Sequence, residues 1–166
     1  MAEDHVIDEL SVRRALKLLQ SGLARVAADD LLGARDAFRQ SAHNHATAEA
    51  LTYWAWMEHQ LGDTALAIDL CQRAIGLDPD FGNPYNDIGS YLIAQDDLDG
   101  AIPWLERAMD AKRYEPRHYP HLNLARVYLA KAMPRHALQQ YRKALELHPD
   151  DPAIQRAIEE ITRLVQ

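Results

Sequence analysis

Apolar and small residues along the chain fall at three-and-four spacing, the period of a helix with one buried face, and turn-forming residues interrupt them at short intervals. The stretch from Ala48 to Phe81 shows the unit most clearly. Leu51, Trp54 and Ala55 are followed, across Gly62-Asp63, by Ala67, Leu70, Cys71, Ala74 and Ile75. Two short helices joined by a tight turn satisfy this pattern. Gly62 tolerates the left-handed backbone that closes a helix, and Pro79 disfavours helical geometry at Asp78.

The spacing recurs. Shifted by 34 residues, Ala67 and Ala74 become Ala101 and Ala108, Leu51 becomes Tyr85, Trp54 becomes Ile88 and Ala55 becomes Gly89. The constellation returns as Leu124, Ala125, Tyr128, Ala137, Tyr141, Ala144 and Pro149, displaced by two extra residues, and Gly22, Ala34, Phe38 and Ser41 form a looser copy upstream. With these copies in register, the chain resembles the tetratricopeptide repeat family over roughly residues 15 to 151. Glu58 departs from the family pattern, standing where a large apolar residue is usual.

The resemblance implies an all-α fold, a right-handed superhelical solenoid of antiparallel helix pairs. About four repeat-like units are expected at 15–47, 48–81, 82–117 and 118–151, with a capping helix at 152–165, all in one domain spanning 1–166. A long first helix is expected from Asp8, its N-cap, to about Ala28. Asp29 to Gly33 reads as a break, Ala34 to about Ala42 as the next helix, and His43-Asn44-His45 as a connector. Asn83 and Pro84 open a later helix, Asp96-Asp97 mark a turn at some conformational cost, and Pro103 predicts a kink over Asp99 to Pro103. Pro134 suits the first turn of its helix. In the last helix, Ile154, Ala157, Ile158, Ile161, Leu164 and Val165 form one apolar stripe suited to covering the end of a repeat stack.

Composition narrows the function. A net charge of −7 argues against a nucleic-acid binder, because neutralising phosphates needs clustered Lys and Arg. No apolar run reaches the roughly 18 to 20 residues of a membrane span, so membrane insertion is not expected, and an N-terminus without a basic region or hydrophobic run predicts a cytoplasmic protein. The lone Cys71 sits at a core position of its repeat. No Gly-rich phosphate loop or nucleophile motif is present, and the chain is not expected to be an enzyme or to need a cofactor. His43 with His45, and His118 with His121, lack the partners of a zinc set, so no metal site is expected. Asp96, Asp97 and Asp99 lack the closing Glu of a calcium loop. The connector Lys112 to Pro120 mixes basic and aromatic side chains. It reads either as a base-stacking or acidic-peptide surface or as an irregular turn with packed tyrosines.

In this family the first helix of each pair lines the concave side. The resemblance therefore implies a non-catalytic adaptor that holds a peptide or helix of a partner protein in that groove. Its candidate contact residues are Tyr53, Trp56, His59, Asn86, Asp87, Ser90, Tyr119, Asn123 and Arg126. Aromatic rings offer apolar contact, asparagine amides match a peptide backbone, and Arg126 matches a carboxylate. Some family members clamp chaperone C-termini with Lys, Asn, Asn, Lys and Arg. The corresponding frames here, Leu19, Leu23, Tyr53, Asn83 and Asp87, or Thr52, Trp56, Asp87, Tyr119 and Asn123, lack the cations and predict no such receptor. The competing expectation is a structural scaffold, a homo-oligomer assembled through array ends or the convex face.

Overall fold

The computed structural model describes residues 9–165, and among these it contains nine helices. They are α1 (Glu9–Ala27), α2 (Leu31–Asn44), α3 (Ala48–Gln60), α4 (Thr64–Leu77), α5 (Asn83–Ala94), α6 (Leu98–Asp110), α7 (Tyr119–Ala130), α8 (Pro134–Leu147) and α9 (Pro152–Val165). The expected cap at Asp8 lies outside the described residues. The chain divides into two compact units, residues 1–78 and 79–166. No described helix is long and apolar enough to cross a membrane.

The turn inside each helix pair repeats one solution. Asp29, Gly62, Asp96 and Ala132 all have positive φ, at 61°, 98°, 62° and 55°. In three of the four, the next residue is an aspartate that caps the following helix. Asp30 accepts from the amide of Gly33, Asp63 from Leu66 and Asp97 from Gly100, satisfying amides that the first helical turn leaves without partners. The Gly33 amide, together with the Arg25 guanidinium, holds the Asp30 carboxyl below the usual carboxylate range. The fourth turn keeps the left-handed residue but lacks the capping aspartate. Its left-handed residue is Ala132, and Met133 gives no side-chain cap, so Pro134 at the helix start carries the entry alone. A left-handed alanine is strained by its Cβ. Ala132→Gly is expected to raise stability by about 1 kcal/mol, read as a higher midpoint in urea; an unchanged or lower midpoint would mean that the turn carries no such strain.

Three boundaries differ from expectation. Leu31 to Gly33 belong to α2 rather than to a break, because the Asp30 cap starts the helix there. His43 and Asn44 form the last turn of α2, where His43 meets the edge of Trp54 with ring centroids 5.7 Å apart, so it is no loop residue. In the apolar stripe of α9, Ile154 and Ile161 are buried and Ile158 and Val165 pack on the Ile161 cluster, whereas Leu164 is 76% exposed and leaves the stripe. Around Pro103, α6 is assigned as continuous helix from Leu98 to Asp110.

In the first unit, α1 pairs with α2, α3 with α4, and α2 packs on α3. Close approach depends on small residues: Gly22 faces the Phe38 ring, and Ala55 and Ala67 are fully buried. Cys71 is buried, as its repeat position predicts. Glu58 is tolerated in the core because its carboxylate accepts a 2.6 Å hydrogen bond from the indole nitrogen of Trp54 one turn earlier. In the second unit, α5 pairs with α6 and α7 with α8, while α5 and α6 also touch α7, and α9 lies on α8. Gly89 sits against Leu105 and the Ala101 carbonyl; Ala125 and Ala137 share a core cluster with Leu138 and Ile161.

Candidate partner-binding site

Of the candidate contact residues, those on α5 and α7 form a connected polar group within the second unit. The Arg126 guanidinium donates to the Asn123 side-chain oxygen at 3.1 Å, and the Asn123 amide donates to the Asn86 side-chain oxygen at 2.9 Å. Helical spacing places Asn123 and Arg126 one turn apart on α7, and the packing of α5 on α7 brings Asn86 to them across 37 positions of sequence. Asn123 is nearly buried, whereas Arg126 is exposed and uses only part of its five-donor fork in this contact.

Asp87 ends this group. Burial pushes its carboxyl up to about 7, and a hydrogen bond with Asn86 pulls it partly back. The phenol of Tyr114 is pushed upward chiefly by its own burial and further by the charges of Asp87 and Tyr119. The run therefore has a cationic end at Arg126 and a poorly solvated acid at the other. Tyr114 was absent from the sequence-based candidates because it lies in the connector between α6 and α7.

That connector is ordered by specific contacts. Arg113 pairs with Phe81 in an isolated parallel bridge, donating its amide to the Asp80 carbonyl and accepting from Gly82, and its guanidinium lies 4.3 Å from the Phe81 ring centre. Tyr114 is buried over Gly82, where an added Cβ would come within 2.5 Å of the tyrosine Cβ. Arg117 donates to the carbonyls of Ala111 and Lys112. The Glu115-Pro116 peptide bond is cis.

The other candidates are placed variously. Tyr53 stacks on Phe38 at 5.2 Å, and His59 faces the Thr64 hydroxyl at 3.0 Å, where burial lowers its pKa. Trp56 and Ser90 are partly exposed on α3 and α5. Tyr119 is exposed beside His118, which stacks on His148 at 4.6 Å. His121 meets the Gln140 side-chain oxygen at 2.8 Å. Among the described residues, no group of three or more His, Cys, Asp or Glu is placed to hold a metal ion.

Comparison with curated protein sequences gives no match. Among solved structures, the chain is similar to Pseudomonas aeruginosa PilF, at 20% identity and a TM-score of 0.84 over 92% of this chain and 69% of that one. It is also similar to YrrB, a tetratricopeptide repeat protein with an unusual peptide-binding site, at 20% identity and a TM-score of 0.68 over 91% and 76%. MamA follows, at 21% identity and 0.68 over 81% and 78%. At these identities the likeness concerns the fold. Two family models, each describing the tetratricopeptide repeat, match residues 19–80 and 80–150. With paired helices, small residues at their crossings and both models laid end to end over most of its length, the chain belongs to the tetratricopeptide repeat family, whose fold is a scaffold for protein–protein interaction.

Proposed function

We propose that this chain is a non-catalytic adaptor that holds an extended segment of a partner protein against the face shared by α5 and α7. The single observation behind this reading is the hydrogen-bonded run from Arg126 through Asn123 to Asn86, which ends beside Asp87. An extended backbone needs outside partners for its amides and carbonyls, and asparagine side chains supply both donor and acceptor. Because the side chains already hold one another, less ordering entropy is lost on binding. Opposite polarity at the two ends favours one direction of the bound segment, with a carboxylate or carbonyl at Arg126 and a donor at Asp87. Likeness to YrrB, itself a protein with a peptide-binding site, accords with this.

Removing a charge-assisted hydrogen bond costs about 1.5 to 3 kcal/mol. Arg126→Ala should therefore weaken partner capture by about tenfold to a hundredfold while leaving the circular dichroism and melting of the protein intact. Affinity capture with the intact chain, Arg126→Ala and Trp56→Ala, scored by mass spectrometry, makes the test. Capture undiminished in Arg126→Ala would move the site away from α5 and α7.

One observation favours a second reading, self-assembly through the end of the second unit. Exposed Leu164 lies with Val165, Met133 and Pro134 around a cavity of about 460 Å³. Light scattering across a concentration range separates the two readings: a mass that stays at 18.8 kDa removes the second.

A further inference from the structure

We propose that a cavity between α6, α8 and the connector that leads into α7 is a binding site for a small aliphatic carboxylate. Its volume is about 200 Å³, and Met109, Tyr114, Arg117, His121 and Leu147 line it. The site is separate from the proposed partner face. On α7, Asn123 turns to Asn86 of α5, whereas His121 turns to Gln140 of α8. Residues two apart on a helix point about 200° from each other, so the cavity and the face lie on different sides of α7.

Its polar side chains are held from behind. Arg117 donates through Nη2 to the carbonyls of Ala111 at 3.3 Å and Lys112 at 2.9 Å, which fix the guanidinium beside the end of α6. Its Nε lies 3.8 Å from the Glu115 carboxylate, beyond a hydrogen bond, and the Glu115 side chain is 82% exposed. Nη1 and Nε therefore remain for an acceptor. The Nδ1 of His121 donates to the Gln140 side-chain oxygen at 2.8 Å, leaving Nε2 for a ligand. Burial above all, and then the charges of Asp87 and Tyr119, push the Tyr114 phenol upward, so it stays neutral and repels no anion.

These groups select the ligand. A guanidinium matches a carboxylate in plane and charge, and one already tied in place loses little freedom on gripping it. The rest of the lining is apolar. Met109 packs on the core cluster of Leu105 and Leu124, and Leu147 ends α8 at 48% exposure, so the two give a hydrocarbon group a surface to cover. Inorganic phosphate would leave that surface wet and its own charge matched by a single arginine. Size narrows the class further: at about 30 Å³ for each water, the cavity holds about seven non-hydrogen atoms. A short branched acid such as isovalerate has that many. The terminus of a polypeptide adds an amide and the preceding chain, and exceeds the space.

The test titrates the full chain with isovalerate and follows the Arg117 and His121 resonances by NMR. Saturable shifts are expected, with affinity about tenfold weaker for the uncharged twin isovaleramide. Decanoate, too long for the cavity, and N-acetylleucine, which mimics a chain terminus, should bind more weakly than isovalerate. Arg117→Gln should lower the affinity about tenfold. Because that change also removes the ties to Ala111 and Lys112, Leu147→Trp stands beside it: the larger ring fills the cavity from a half-exposed position and should abolish binding, with the fold checked by circular dichroism. Arg126→Ala should leave isovalerate binding unchanged, so that failure here and failure of the α5–α7 site are told apart. The proposal is overturned by an absence of saturable shifts, by equal affinity for isovaleramide, or by a folded Leu147→Trp variant that binds as well as the parent. It is equally overturned if decanoate, N-acetylleucine or inorganic phosphate binds as tightly as isovalerate, or if Arg126→Ala abolishes the shifts.

Discussion

Asp87→Asn is expected to stabilise the protein at pH 8 by about 2 to 4 kcal/mol and to flatten its stability profile between pH 4 and 7. In the folded chain the Asp87 carboxyl titrates at about 7, because burial penalises its charged form more than Asn86 relieves it. Unfolded, it returns to the ordinary value of 3.8. Between those two values the folded state binds the extra proton, so stability falls as the pH rises through this window and levels off above it. An amide in its place cannot ionise, yet it keeps a hydrogen-bond partner in Asn86. Urea titrations of both proteins at pH 4 and pH 8 provide the check: near-equal stabilities at pH 4 and a gap at pH 8 are expected. Parallel profiles would show that Asp87 is as well solvated folded as unfolded.

The same carboxyl bears on recognition. A partner donor, above all a cationic one, that reaches Asp87 favours its charged form and releases a proton on binding near neutral pH. Affinity at the α5–α7 face should then weaken as the pH drops below 7, a consequence of burying an acid beside a run of neutral amides.

Much of the architecture was legible locally. Ala55, Gly89 and Ala125, with Ala67, Ala101 and Ala137, recur at the helix crossings because only small residues let two backbones approach there. Gly62 announced its turn through its conformational freedom. Asp29 and Asp30 hid theirs, since the first takes the left-handed position and the second caps α2, so that Gly33 reads as a break although it is helical. His43 was read as connector for a related reason: polarity at a helix end resembles polarity in a loop, and only its contact with Trp54 distinguishes the two.

What was not legible depends on residues far apart in sequence. Asparagines at 86 and 123 could be placed on inward positions by repeat spacing, but their hydrogen bond joins two helix pairs and involves side-chain orientation that spacing does not encode. Tyr114 has no counterpart in the repeat template, because the two extra residues of its connector remove it from register. Its burial follows from the Phe81–Arg113 bridge, which ties that connector to residues some thirty positions earlier. Both omissions lie where the candidate site is built, which is why the face was predicted as a group of positions and not as a continuous run.

Phe38→Ala should be the most damaging single substitution in the first unit, lowering unfolding free energy by about 3 to 5 kcal/mol. The ring is fully buried, covers Gly22 of α1, and stacks on Tyr53 of α3 at 5.2 Å, so one side chain on α2 holds both neighbouring helices. No adjacent side chain at Gly22 can fill the space, because a glycine has nothing to relax into it. Denaturant titration measures the loss, and hydrogen exchange locates it: amides of α1, α2 and α3 should lose protection first, as in stacked repeats whose stability is a sum of unit and neighbour terms. A cost under about 1 kcal/mol would mean that α1 and α3 are held by other contacts. Phe38→Leu retains most of the volume but not the stacking plane and should cost less, while freeing Tyr53 to rotate. Comparing partner capture by Phe38→Leu and by Tyr53→Ala then tells whether the ring on α3 acts in recognition or only closes the core beneath it. Capture reduced in both would make Phe38 a positioning residue for the α3 face. Capture kept in both would leave recognition to the amides of α5 and α7.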